Sequence, residues 1–177
     1  MFYEPKNGHP FKIDPYKALV FPRPIGWISS LSKQGIPNLA PYSYFNAVAD
    51  EPPQVMFCSN GDSAYGGFKD SLSNILSTKE FVVNFATSTT RDAMNISSSN
   101  YKPNEDEFVA ARLKKRKSKL VKAPSVNDSP VNLECRLLKT LKLKTNSKKL
   151  STMVIGEVIG IYINNKFIKN KRVDSVS

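Results

Sequence analysis

Short apolar runs, separated by proline, glycine and asparagine, dominate the hydrophobic pattern of this chain. Runs of this length and composition predict β-strands. They cover residues 18–21, 25–32, 54–59, 81–87, 131–138 and 153–163, which read ALVF, IGWISSLS, QVMFCS, FVVNFAT, VNLECRLL and MVIGEVIGIYI. The pattern therefore predicts a protein built mainly from short strands.

Three segments carry helix start signals. One helix begins in KDSLSNILS with Asp70 or Ser71 as its N-cap, and a second covers residues 90–97. The third begins at Asn104, because Glu107 follows it at the spacing of a capping box. Many short strands with few helices predict one domain over residues 1–177, a mainly β closed antiparallel barrel with peripheral helices.

The last predicted strand is apolar on both faces. Strict alternation places Val158 with Gly156 and Gly160 on one face, and Ile155 with Glu157 on the other. A strand buried on both sides needs a second cover, which is either another subunit or a helix lying over the barrel. The two glycines would leave room for such a close neighbour.

Residues 38–53, NLAPYSYFNAVADEPP, are apolar but interrupted by Pro41. Because proline lacks a ladder donor, a central strand is not expected here, and we predict an irregular wall. Ala40 and Pro41 are small and rigid, free backbone groups could contact the polar edge of a flat aromatic ring, and Ser43 adds a hydroxyl. The alternative is a loop that packs on the core through its own aromatic residues.

The segment GGFKDSLSN contains the elements of an anion site. Lys69 precedes a helix start, and Ser71 and Asn74 follow in the first turn. The first N–H groups of a helix are unpaired and attract anions, so Lys69 and the Ser71 hydroxyl would complete a phosphate site. Gly66 and Gly67 would allow a close approach. The alternative is an ordinary N-cap.

The segment RPIGWISS offers a third set of candidates. Alternation sends Trp27 and Ser29 to one face of the predicted strand, and Ile28 and Ser30 to the other. Without further context, two serines in a barrel strand are also explained as polarity at a strand edge.

Taken in order, FPRPIGWISSLSKQGIPNLAPYSYFNAVADEPPQVMF, GGFKDSLSNILSTKEFVVNFAT, SPVNLECRL and MVIGEVIGIYI resemble the flavin reductase-like, FMN-binding split-barrel family. The resemblance extends from about residue 18 to about residue 174. It implies a split barrel that forms a homodimer, with FMN at the subunit interface and NADH or NADPH as reductant. A further C-terminal segment would be expected after KNKRVDSVS, which leaves the completeness of the dimer and of the activity open.

The resemblance also implies roles for individual residues. Trp27, Ser29 and Ser30 would border the isoalloxazine ring and the ribityl chain. The ring edge would contact the backbone of Asn38, Ala40 and Pro41, with Ser43 assisting. The phosphate would be bound by Lys69, Ser71 and Asn74. No catalytic side chain is predicted, since the flavin carries out the hydride transfer, and the sequence has no GxGxxG dinucleotide motif.

Composition and charge limit the kinds of metal site, cellular compartment and binding partner that the sequence allows. The two cysteines form no CxxC motif, and with a single histidine they leave too few ligands for structural zinc. No signal peptide or membrane-spanning stretch is recognised, so we predict a cytoplasmic protein. The net charge of +11 resides in residues 112–149, which contain 13 Lys and Arg against two acids. This segment is either a solvated lysine-rich face or a site for an acidic partner, RNA or an anionic cofactor.

Three functions follow from these observations. The first is an oxidoreductase that passes reducing equivalents from NAD(P)H through FMN to a flavin, a partner oxygenase or another small-molecule acceptor. The second is a flavin-binding protein without reductase turnover. The third is a basic small-barrel RNA-binding domain, although we do not expect nucleic acid to be the partner.

Overall fold

The computed structural model describes residues 1–145 and 149–173; residues 146–148 of the basic segment, and residues 174–177, lie outside them. The strands are β1 (Gly26–Leu31), β2 (Pro37–Tyr42), β3 (Phe45–Asp50), β4 (Pro53–Asn60), β5 (Glu80–Asn84), β6 (Lys115–Arg116), β7 (Ser125–Val126), β8 (Val131–Lys142), β9 (Ser151–Ile163), β10 (Ile168–Lys169) and β11 (Arg172–Val173). The α-helices are α1 (Tyr16–Leu19), α2 (Asp70–Thr78), α3 (Arg91–Ile96) and α4 (Glu107–Ala110), with 3₁₀ turns at Pro5–Asn7, Ser88–Thr90 and Asn165–Phe167.

Seven strands form one antiparallel sheet in the order β2-β1-β5-β8-β9-β4-β3. The two edge strands of this sheet, β2 and β3, follow one another in sequence with only Ser43 and Tyr44 between them. The sheet must therefore curl so that its two edges approach each other, and the Cys58 N–H, which donates to the Tyr44 carbonyl at 2.9 Å, extends the β3–β4 ladder into the turn between them. The result is a barrel with a seam beside β2. The predicted mainly β fold with few helices is confirmed.

The barrel interior is filled by aromatic and branched side chains. Phe57 contacts Tyr42 at a ring distance of 4.7 Å and Phe81 at 5.8 Å. Gly156 of β9 makes room for this cluster, since a Cβ atom there would lie 2.4 Å from Cζ of Phe81. Helix α2 closes the barrel with Leu72 and Ile75, which are fully buried.

The prediction that Gly156 and Gly160 share a face is wrong. Glu134 pairs with Gly160 whereas Cys135 pairs with Val158, so Ile159 forms a β-bulge that shifts the alternation. Gly156 faces Phe81 inside the barrel, while a Cβ at Gly160 would meet Leu120, which lies outside it. Part of the outer face of β9 is thus covered by the segment that contains Val121 and Ala123, and not by a helix. That a second subunit covers the rest of the outer face of β9 stays a prediction.

Most of the predicted strands are confirmed, but ALVF is not a strand. Residues 16–19 form the short helix α1 instead, and Arg23 explains its end, because the guanidinium donates to the carbonyls of Lys17 and Val20. These carbonyls are among the groups that a helix end leaves without an intrahelical partner.

Residues 38–53 are also more regular than predicted. They form most of β2 and all of β3, joined at Ser43 and Tyr44. Pro41 is accommodated because β2 is an edge strand that pairs only with β1, opposite Trp27. The expectation that proline excludes a central strand is correct, whereas the irregular wall is wrong.

Two predicted helix caps are wrong as well. Lys69, and neither Asp70 nor Ser71, occupies the N-cap position of α2. Helix α4 begins at Glu107 with Asp106 as its cap, and the Asp106 carboxylate accepts from the Phe108 N–H at 3.0 Å. Because Asp106 satisfies this helix start, the Glu107 side chain is free to reach another element.

The basic segment packs on the barrel through Val121 and Ala123 and also supplies one of its strands, β8. Glu134, one of its two acids, accepts hydrogen bonds from the N–H groups of Lys119 and Leu120 at 2.9 and 2.6 Å. The guanidinium of Arg116 stacks 3.4 Å above the ring of Tyr162 and donates to Asn132. These contacts fix residues 116–120 against β8 and β9.

Candidate functional site

A cavity of about 290 Å³ opens at the seam of the barrel. Its wall includes β2, the turn at residues 43 and 44, the end of β4, residues 62–64, the start of α2, the segment 97–101, Lys17 and Glu107. The predicted site residues that line it are Asn38, Ala40, Pro41, Ser43, Lys69 and Ser71. Two segments some 30 residues apart in sequence, one predicted for a ring and one for a phosphate, therefore meet in one cavity.

Four other predicted residues are buried behind this wall and do not line the cavity: Trp27, Ser29, Ser30 and Asn74. The Trp27 Nε1–H donates to the Ser97 hydroxyl at 2.9 Å, and Ser97 does line the cavity. The Ser29 hydroxyl donates to the Pro124 carbonyl at 2.6 Å. Direct contact of these four residues with a flavin stays a prediction.

Ser30 and Asn74 support the wall through Asn38. The Asn74 amide donates to the Ser30 hydroxyl at 3.1 Å, and this hydroxyl lies 3.4 Å from the Asn38 side-chain carbonyl. The Ser71 hydroxyl donates to the same Asn38 oxygen at 2.6 Å. Asn38 is therefore the meeting point of β1, β2 and α2, and its amide orientation is fixed by its neighbours.

The start of α2 presents backbone donors to the cavity. Lys69 at the N-cap makes no side-chain cap hydrogen bond, so the N–H groups of the first turn are left to solvent or a ligand. The positive φ angles of Gly66 and Gly67, +91° and +70°, turn the chain into this helix start. Lys69 is half-buried and adds its charge to the same place. The arrangement suits an anion.

The Ser71 hydroxyl is not free for that anion. It is 1% exposed and its proton is directed at Asn38, so the side chain would have to rotate before donating to a phosphate. The Ser71 backbone N–H, in the first turn of α2, needs no such change.

Sequence reasoning missed Glu107 as a site residue. Its carboxylate lines the cavity at 4% exposure, accepting from the Asn38 amide at 2.5 Å and from the Leu39 N–H at 3.0 Å. Burial raises the pKa of Glu107 to about 7, although the hydrogen bonds from its own backbone, Leu39 and Asn38 lower it. The only signal in the sequence was the capping-box spacing, which indicated a different role.

Tyr42 and Cys58 also line the cavity, and both are uncharged at neutral pH. Burial raises the pKa of the Tyr42 hydroxyl to about 12 and also raises the pKa of the Cys58 thiol, so both groups are protonated. Segment 97–101 adds Tyr101 and three serines, and Lys17 adds a second cation. Within residues 1–145 and 149–173, no group of three His, Cys, Asp or Glu side chains could hold a metal ion.

An antiparallel barrel, split along a seam that holds a polar cavity with an open helix start, is the architecture of a small split barrel. The model of the flavin reductase like domain matches residues 18–174, and the chain belongs to this family. In the part of the chain that the structure describes, residues 1–145 and 149–173, no helix has the length and apolar character needed to span a membrane.

Individual proteins of known sequence or structure are also similar to this chain. An uncharacterized protein of Aquifex aeolicus is 47% identical over 123 residues, which are 69% of this chain and 62% of that protein. The chain thus spans less than two thirds of that relative's length. Nitrilotriacetate monooxygenase component B from Bacillus cereus has a similar structure, with a TM-score of 0.86, 30% identity, and coverage of 98% of this chain and 87% of that one. For the 2-nitrobenzoate 2-nitroreductase NbaA of Pseudomonas fluorescens the TM-score is 0.79 at 26% identity, with 98% and 83% coverage.

Proposed function

We propose that this protein is an FMN-dependent oxidoreductase that passes reducing equivalents from NADH or NADPH to a flavin, a partner oxygenase or another acceptor. The observation that carries the proposal is the seam cavity, where the wall of β2 and the open start of α2 face each other in a chain of the flavin reductase like family.

The phosphate of FMN fits the start of α2. Lys69 supplies a positive charge, and the backbone N–H groups of the first turn supply oriented donors. Both lie at one end of the cavity, so they would fix the phosphate and leave the remainder of the ligand to extend along β2. FAD also carries phosphate groups; the single short anion site favours FMN.

The ring fits the exposed edge of β2. An edge strand leaves the N–H and C=O groups of alternate residues without a ladder partner. The Leu39 N–H points outward to Glu107. By alternation, the outward group beside the cavity is therefore the carbonyl of Pro41, which has no N–H, while Ala40 pairs with β1 and offers its small side chain. A polar N–H on the edge of the ring could donate to that carbonyl. Ser43, at the turn into β3, is placed to assist. The regular strand thus takes over the role we assigned to an irregular wall.

Bound flavin would supply the redox chemistry, accepting a hydride from the nicotinamide and releasing two electrons to the next acceptor. The residues of this chain would bind and orient the ring, with Tyr42 and Cys58 uncharged beside it.

Two structural neighbours suggest the range of acceptors. One is component B of a monooxygenase, and the other is a nitroreductase. We infer that a partner oxygenase or a small organic molecule receives the electrons, and that the working form is a homodimer in which a second chain completes the wall of the open seam.

Anaerobic reduction tests this proposal. Purified protein reconstituted with FMN should be yellow and should bleach when NADH or NADPH is added under argon. Colour without bleaching would support a flavin-binding protein without turnover. Protein that binds no FMN, yet binds RNA with steep salt dependence, would overturn the proposal in favour of the basic RNA-binding domain.

A further inference from the structure

The Glu107 carboxylate makes hydrogen bonds to β2 that its place at the start of α4 does not explain. It is 4% exposed and belongs to a one-turn helix, α4, yet both of its oxygens are bonded to the edge strand β2. Oε1 accepts from the Asn38 side-chain amide at 2.5 Å, and Oε2 accepts from the Leu39 backbone N–H at 3.0 Å. The N-cap of α4 is Asp106, so Glu107 is not needed for that helix start.

The bond to Asn38 determines which way that amide points. With its Nδ2 held by Glu107, Asn38 must present its oxygen to the opposite side, where it accepts from the Ser71 hydroxyl at 2.6 Å. A continuous chain of hydrogen bonds thus runs from α4 through β2 to the first turn of α2. The elements it joins are the ring wall and the anion site of the cavity.

We propose that Glu107 is a positioning residue for the flavin site: its ionised carboxylate orients Asn38 and thereby fixes β2 against the start of α2. The inference rests on the proposed function, since the two elements would hold the ring and the phosphate. Protonation would remove one of the two acceptor oxygens and release one of the two contacts to β2.

The groups around Glu107 determine the pH at which its carboxylate takes up a proton and loses this contact. From α2, Asp70 faces it and disfavours its charge, while burial has the larger effect. From β2, the Tyr42 hydroxyl faces it and stays neutral. On its own segment, Asp106 is paired with Lys115. The wild-type site should therefore loosen as the pH falls below about 7.

Substitution by Gln imitates the protonated side chain, because its amide nitrogen would meet a donor on one of the two sides. At pH 8 we expect Glu107→Gln to weaken the binding of FMN and of riboflavin alike, each by roughly tenfold, as for the loss of one charged hydrogen bond. Glu105→Gln changes the same atoms on an exposed side chain of the same segment and should bind as wild type.

Repulsion between the Glu107 charge and the FMN phosphate would have the opposite effect on FMN binding. If Glu107 acted only through its charge, its removal would tighten the binding of FMN, which carries a phosphate, and leave the binding of riboflavin unchanged. Parallel losses for the two ligands therefore indicate positioning. A double-mutant cycle with Asn38→Ala adds a second criterion: if Glu107 acts through Asn38, Glu107→Gln should cost no further affinity in the Asn38→Ala background.

The experiment is an equilibrium titration of wild type, Glu107→Gln, Glu105→Gln, Asn38→Ala and the double variant with FMN and riboflavin, from pH 5.5 to 8.5. Wild-type affinity for riboflavin should fall toward that of Glu107→Gln at low pH, and the variant should be flat. Equal affinities of wild type and Glu107→Gln, or additive losses in the cycle, would overturn the inference. If Glu107→Gln does not fold, the riboflavin pH profile of the wild type decides alone. Wild type that binds neither ligand would instead refute the proposed function.

Discussion

Replacing Glu107 by Gln should change how the stability of the ligand-free protein depends on pH. Burial raises the pKa of this carboxyl from 4.5 to about 7 in the folded state, whereas the unfolded chain keeps its ordinary pKa. Between these two values the folded state binds more protons than the unfolded state, so the free energy of unfolding decreases as the pH rises. The stabilising contribution is fully present below about pH 4.5 and is lost as the pH passes 7.

The size of this effect follows from the same two values. Their difference, at 1.36 kcal/mol for each pH unit, corresponds to about 3 kcal/mol. Because Gln does not titrate, the difference in the free energy of unfolding between wild type and Glu107→Gln should change by about this amount between pH 4.5 and pH 7.5. The wild type should become less stable relative to the variant as the pH rises.

Urea unfolding of the two proteins at several pH values measures the difference directly. Asp70, whose pKa is also raised by burial, is present in both proteins, so its own titration largely cancels. Glu105→Gln, exposed and in the same segment, should run parallel to the wild type. If the curves of wild type and Glu107→Gln stayed parallel from pH 4.5 to 7.5, the carboxyl would not titrate there, and the account of its burial would be incorrect.

Three further changes test other parts of the structure. Lys69→Ala should weaken FMN by about fivefold to tenfold, as expected for one charge-assisted contact, and leave riboflavin unchanged; calorimetric titration with both ligands checks this, and equal losses would place the phosphate elsewhere. Gly156→Ala should destabilise the fold by about 1–3 kcal/mol, because the new Cβ would lie 2.4 Å from Phe81; unfolding in urea measures it, and Phe81→Leu should recover part of the loss. Trp27→Phe should cost at least about 1 kcal/mol, because it removes the hydrogen bond to Ser97 and leaves a cavity where the fully buried indole was; an unchanged urea midpoint would contradict that assignment.

The strands were predictable because their signal is local. The apolar run IGWISSLS contains β1, and FVVNFAT overlaps β5, which ends at Asn84, since a buried strand needs consecutive apolar residues and little else. The bulge at Ile159 was not predictable, because it depends on the pairing of β9 with β8 and leaves no mark in either sequence. One inserted residue then reversed the faces assigned to Gly160 and its neighbours.

The site was predictable only in part for the same reason. Asn38 and Lys69 were recognised within ordered motifs that resemble a known family, and both line the cavity. Glu107 lies 69 residues from Asn38 in sequence, and only the fold shows that its carboxylate reaches β2. The assignment of Pro41 to an irregular wall failed because the rule against proline in sheets does not apply to an edge strand.

A crystal structure of the protein with FMN tests the central claim most directly. The account predicts electron density for the phosphate at Lys69 and the first turn of α2, and for the ring along β2 at Ala40 and Pro41. Density for FMN at any other place on the barrel, with the seam cavity empty, would contradict it.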